Sequence, residues 1–128
     1  MSGAARIRVL LVDDHADTLR TLKRLLERMG YQVLPAASAA AALGVLASEP
    51  VDVLVSDIGL PDATGHELMR KVRANHDLPG IAVSGYGMDT DLKNSREAGF
   101  LTHITKPIDL GQLDAAIRSA VRRAPTAP

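Results

Sequence analysis

Short apolar runs alternate with segments of helical period along most of the chain. The runs are Ile7 to Val12 (IRVLLV), Tyr31 to Ala36 (YQVLPA), Val51 to Ser56 (VDVLVS), Leu78 to Ser84 (LPGIAVS) and Leu101 to Thr105 (LTHIT). Each has the length of a strand, and the more continuous ones read as strands buried on both faces. Pro35 places the second run near a sheet edge. After Asp14, Leu19, Leu22, Leu25, Leu26 and Met29 recur three or four residues apart, with Arg20, Lys23, Arg24 and Glu27 opposite. That spacing predicts an amphipathic helix with a leucine core stripe, stopped by Gly30. Ser38 caps an alanine-rich helix to about Ser48 that carries Leu43 and Leu46 inward. Pro61, Asp62 and Gly65 form a turn before a helix through Leu68, Met69 and Val72. Asp89 to Ala98 reads as a polar helix ended by Gly99. Asp109 is the N-cap of the last helix, whose Leu110, Leu113, Ile117 and Val121 face inward.

Strict strand–helix alternation predicts an α/β domain: an open, doubly wound parallel sheet with helices on both faces. Its ligand site should lie outside the carboxyl ends of the strands. The 128 residues fit one domain, 1–128, with a core of about 7–122 and short tails. Tyr31, Tyr86 and Phe100 are the whole aromatic set, so the core must be built from Val, Ile, Leu and Ala. Fifteen basic and fifteen acidic residues balance, and no basic field recommends direct nucleic-acid binding. The absence of cysteine removes disulfides, thiolate metal sites and cysteine nucleophiles. No apolar stretch reaches the ~20 residues of a membrane helix, and no signal-peptide pattern opens the chain. The expectation is a cytoplasmic protein without membrane insertion.

The candidate chemistry sits where the runs stop. Asp13 and Asp14 follow the first run, Asp57 the third, Ser84 closes the fourth, and Lys106 with Pro107 follows the fifth. In a parallel sheet these ends share one rim. Three carboxylates held close repel one another, and a hard divalent cation would compensate them. Magnesium, or manganese, suits oxygen ligands of this kind. Lys106 and Ser84 would add a point charge and a hydroxyl for phosphate oxygens. Together they describe a phosphoryl-transfer centre in which a carboxylate is the nucleophile. Asp57 is the candidate, a single aspartate on the central run with a turn behind it.

Each residue alone has a blander reading. An acidic pair suits a helix dipole, a lone serine is a turn hydroxyl, and a lone lysine is a surface charge. Their order along the strands overrides these. His15, His66, His76 and His103 lack metal-ligand spacing, which argues against a zinc site; His103 reads as a packed or half-buried side chain and not as a catalytic base. Gly85 and Gly87 lack the third glycine of a dinucleotide loop. His15, Ala16 and Thr18, beside the acidic pair, could dock a phosphodonor.

In this order the residues resemble the receiver domains of two-component response regulators: Asp13-Asp14, Asp57 with Pro61 and Gly65 behind it, Ser84, and Lys106-Pro107. The resemblance covers nearly the whole chain. It implies a flavodoxin-like sheet of order 2-1-3-4-5 and a phosphoacceptor signalling domain, not an enzyme, that takes part in its own phosphotransfer and autodephosphorylation. Asp57 would accept phosphate from a phosphohistidine of a sensor histidine kinase or histidine phosphotransfer domain. Magnesium would be held by Asp14 and Asp57, by Asp13 through water, and by the backbone carbonyl of Gly59. Lys106 and Ser84 would hold phosphate oxygens, and Lys106-Pro107 would be a cis peptide. Phosphorylation would switch the face built by the fourth helix, fifth strand and fifth helix. The stretch SGYGMDTDLKNSREAGF with HITKPID resembles receivers of hybrid sensor histidine kinases.

Two departures stand out. The position of the family's switching Tyr or Phe is His103, a smaller and polar ring whose coupling to Ser84 would become pH-dependent. Gly59 and Tyr86 occupy the positions that flank the path of attacking water and tune phosphate lifetime. A phosphohydrolase of the haloacid dehalogenase kind is the enzyme alternative; it needs a second aspartate two residues beyond the first, and Gly59 stands there. A degenerate receiver acting only as a binding module is the other.

Overall fold

The computed structural model describes residues 6–85 and 89–123. Strands and helices alternate: β1 (Arg8–Val12), α1 (Ala16–Arg28), β2 (Gln32–Ala36), α2 (Ala39–Ser48), β3 (Val53–Asp57), α3 (Gly65–Asn75), β4 (Gly80–Ser84), α4 (Asp89–Ala98), β5 (Thr102–Thr105) and α5 (Leu110–Arg123). The five strands form one sheet in the order β2-β1-β3-β4-β5, and every pairing is parallel. This is the doubly wound arrangement expected from the alternation.

Period-two alternation within the buried strands divides the core into two layers. Val9, Leu11, Val53, Val55, Ile81, Val83 and Ile104 face α1 and α5, where Leu22, Leu26, Leu113 and Ile117 meet them. Leu10, Val12, Leu54 and Ala82 face the other way, toward Ala39 and Ala42 of α2, Leu68, Met69 and Val72 of α3, and Ala98 of α4. Each fully buried Leu or Ile side chain contributes roughly 1.5–3 kcal/mol relative to exposure.

The edges of the pattern differ from expectation in small ways. Ala39 and Ala42 are the buried face of α2, and Leu43 and Leu46 are only half-buried beside them, because alanine lets the helix approach the sheet closely. Met29 follows the last turn of α1 and is 36% exposed, and Leu101 precedes β5 and is 46% exposed. Gly30 and Gly99, the expected helix stops, take φ of 104° and 111°, a region that other residues rarely enter. Pro35 lies on the edge strand β2, opposite Leu11. The expected caps form: Ser38 accepts from Ala41 N–H at 3.0 Å, and Asp109 from Gln112 N–H at 3.0 Å.

From β1 the chain steps outward to β2 and then crosses back to β3 on the other side. The carboxyl ends of β1 and β3 therefore flank the switch point where open α/β sheets bind ligands. Among the described residues no helix is long and apolar enough to cross a membrane.

Candidate functional site

Asp13 directly follows β1 and Asp57 ends β3, so the two carboxylates meet at the switch point. Asp13 is 3% and Asp57 8% exposed, while the Asp14 side chain turns outward at 32%. Each is held locally. Asp13 Oδ1 accepts from His15 N–H at 2.8 Å, and Asp57 Oδ1 accepts from Gly59 N–H at 3.2 Å. The acidic pair is thus no cap of α1, whose N-cap residue is His15.

Lys106 reaches in from the end of β5. Its Nζ donates to Asp57 Oδ2 at 3.0 Å and lies 3.6 Å from Asp13 Oδ2. Burial pulls the ammonium's pKa down, but the hydrogen bond and charge of Asp57, aided by Asp13, outweigh that and hold it above the usual lysine value. Lys106 N–H also donates to the Ser84 carbonyl at 2.7 Å, tying the lysine to the end of β4. The Lys106-Pro107 peptide is cis, as the resemblance implied.

Asp13, Asp14, His15 and Asp57 each bring a ligand atom within 4.8 Å of the others. Carboxylate oxygens on a partly open rim fit a hard divalent cation such as magnesium. Histidine spacing in the sequence argues against a ligand role for His15, yet its Nδ1 stands 3.2 Å from Asp13 and 3.3 Å from Asp14. Its place directly after the pair brings it there.

The loop between β3 and α3 is built to hold Asp57. Gly65 packs so tightly that a Cβ there would lie 2.4 Å from the Asp57 carbonyl oxygen, and its N–H donates to Ile58 O at 2.7 Å. Thr64 and Glu67 then form a capping box that starts α3. Asp62, expected only as a turn residue, also caps a different helix: its carboxylate accepts from Ala39 and Ala40 N–H, both at 2.9 Å. With Ser38 serving Ala41 and Ala42, the first four N–H groups of α2 all have partners. Gly59 is exposed with open space where a Cβ would be. Tyr86 lies outside the described residues.

His103 points inward. Its Nε2 is 2.6 Å from Ser84 Oγ, and its Nδ1 is 3.0 Å from Ser95 Oγ on α4. Ser95 in turn lies 3.1 Å from His66 Nε2 on α3, and His66 meets Phe100 edge-on at 6.4 Å. Sequence reasoning missed Ser95 and left His66 without a role.

A family model described as response regulator receiver domain matches residues 9–118. The chain belongs to that family. Over 115 residues this receiver domain is 36% identical to the transcriptional regulatory protein KdpE of Mycobacterium tuberculosis, covering 90% of the chain and 51% of that protein. It thus spans about half the length of that curated relative. It is 33% identical over 132 residues to the virulence sensor protein BvgS of Bordetella pertussis, covering 95% of the chain but 11% of BvgS. A solved CheY-like response regulator receiver domain protein from Methanospirillum hungatei JF-1 matches with a TM-score of 0.86 at 31% identity, over 94% of this chain and 97% of that one. The strand order is the flavodoxin-like one shared by such receivers. The chain is therefore a receiver domain of two-component signalling.

Proposed function

We propose that Asp57 accepts a phosphoryl group from a phosphohistidine, on a sensor histidine kinase or a histidine phosphotransfer domain, in a magnesium-dependent reaction. One observation carries this reading: the buried Asp57 carboxylate ends β3 at the switch point with Lys106 Nζ at 3.0 Å. An Asp57 oxygen attacks phosphorus, the P–N bond breaks, and its electron pair stays on the departing imidazole. Lys106 leaves the carboxylate for a phosphoryl oxygen, and the Ser84 hydroxyl donates to another. Asp13, Asp14, Asp57 and the Gly59 carbonyl would hold the divalent cation, which offsets charge on the phosphoryl oxygens when bound.

A groove of about 410 Å³ between α1 and the β5–α5 turn supports a docked donor, because Thr18, Thr21 and Pro107 line it and Lys106 opens into it. Ser84 and His103 join the acceptor to β5 and α4, which supports a switch of the α4–β5–α5 face. Likeness to a short stretch of BvgS supports a receiver that can be built into a sensor protein. A histidine-kinase donor places the reaction in the cytoplasm.

Phosphoramidate, a small donor with the same P–N bond, tests the reaction class. With magnesium it should add one phosphoryl group to Asp57. Transfer that persists in Asp57→Asn, or that ignores removal of magnesium, would overturn the proposal.

A further inference from the structure

Four buried or half-buried polar groups run in one line away from the acceptor: Ser84 at the end of β4, His103 on β5, Ser95 on α4 and His66 on α3. The successive separations are 2.6, 3.0 and 3.1 Å. Ser84 is 4%, Ser95 1% and His66 8% exposed, so the line is largely shielded from water. Each serine owns one hydroxyl hydrogen, and a neutral imidazole owns one N–H. With Ser95 passing its hydrogen along the line, those counts allow two directions.

In one direction Ser84 donates to His103 Nε2, Nδ1–H donates to Ser95, and Ser95 donates to His66 Nε2. The first two distances fit this direction, and the third, 3.1 Å, is long enough for either donor. Hydroxyl donors make shorter bonds than N–H donors, and the 2.6 Å contact is the short one while the Nδ1 contact has the ordinary N–H length of 3.0 Å. In the other direction every hydrogen is passed the opposite way, from His66 toward Ser84.

We infer that Ser95 and His66 are positioning residues for Ser84, and that phosphorylation of Asp57 reverses the direction of this hydrogen-bonded line. The inference rests on the proposed role of Ser84 as a donor to a phosphoryl oxygen. A serine that spends its hydrogen on phosphate must accept from His103, which then carries the proton on Nε2. His103 Nδ1 becomes an acceptor and takes the hydrogen of Ser95. Ser95 in turn accepts from His66 Nε2–H. The state of the acceptor thus reaches the α3–α4 pair as a change of two histidine tautomers. Coupling is reciprocal, so a partner that fixes His66 in one tautomer biases Ser84 for or against the phosphoryl group.

Long-range proton–nitrogen NMR on the full chain with labelled histidine separates Nδ1–H from Nε2–H. Spectra are recorded without donor and in excess acetyl phosphate with magnesium, with intact mass measured on the same sample. The expected result is a change from Nδ1–H to Nε2–H at both His103 and His66 upon phosphorylation. In Ser95→Ala, Asp57 should still label and His103 still respond, while the response of His66 is lost; Ser95→Thr should restore it. A mass gain on Asp57 with unchanged tautomers would overturn the inference. So would a doubly protonated His103 in the phosphorylated protein, which frees Ser84 with no demand on Ser95. Absence of any Asp57 mass gain would sink this inference together with the proposed function, and the mass measurement tells the two failures apart.

Discussion

The ammonium of Lys106 rests on the carboxylate of Asp57, 3.0 Å away, with Asp13 at 3.6 Å. It already neutralises part of the charge that a bound cation would meet. Lys106→Ala leaves the two buried carboxylates facing each other without it. Because the lysine side chain is 28% exposed, the loss should fall between surface and buried ion pairs, about 1–2 kcal/mol without divalent cation. Magnesium should then raise the melting temperature of Lys106→Ala more than that of the wild type. An equal or smaller shift in calorimetry would contradict the arrangement.

Asp62 couples the loop after Asp57 to the start of α2. Its pKa is lowered, first by the Ala40 N–H bond and then by that of Ala39. A depressed carboxylate stabilises the fold above its unfolded pKa, and the contribution vanishes as pH falls through the folded value. Asp62→Ala should therefore melt lower than wild type at neutral pH, and the gap should close in acid. Hydrogen exchange at Ala39 and Ala40 should accelerate in the variant; unchanged exchange would rule the cap out.

Tyr31 gives a test at the other end of the scale. It is 2% exposed, and its hydroxyl donates to Asp114, which Arg118 also pairs. Burial first, then the hydrogen bond and charge of Asp114, push the phenol from 10.0 up to about 12. The folded state thus holds the proton longer than the unfolded chain. Stability from this group is whole below pH 10.0 and is lost as pH rises toward about 12. Phenolate absorbance compared with Tyr31→Phe should show the late titration, and the variant should lack that part of the alkaline loss. A Tyr31 titration near 10.0 would contradict the contact.

Gly65 is the steric counterpart. A Cβ there would stand 2.4 Å from Asp57 O and 2.9 Å from Ile58 Cα, both backbone atoms that cannot swing aside. Gly65→Ala should lose about 1–3 kcal/mol in denaturant unfolding and label more slowly at Asp57. Wild-type stability and labelling together would show that the loop has slack.

Much of this was legible in the chain. Strand runs and helix periods mark the elements because burial of Val, Ile and Leu on both faces of a parallel sheet leaves few other residues in those runs. Asp13, Asp57, Ser84 and Lys106 could be placed together because strand ends converge on one rim. Ser38 and Asp109 were readable as caps because their partners lie three residues away. Asp62 was not, since the amides it caps lie 22 and 23 residues away and only the fold joins them. Ser95 was hidden for another reason. Its helix looks polar throughout, and periodicity does not distinguish a serine turned inward toward two imidazoles from one turned toward water. His15 reads from the sequence as part of a donor-docking flank and not as a ligand, because a histidine directly beside an acidic pair has no metal-ligand spacing; only the turn of the chain after β1 brings its ring back to both carboxylates.

Phosphorylation should fall on Asp57. Intact-mass measurement after incubation with acetyl phosphate and magnesium tests it most directly. The wild type should gain one phosphoryl group, and Asp57→Asn or chelation of the metal should abolish the gain. A wild type that gains no mass, or an Asp57→Asn variant that gains as much, would contradict it.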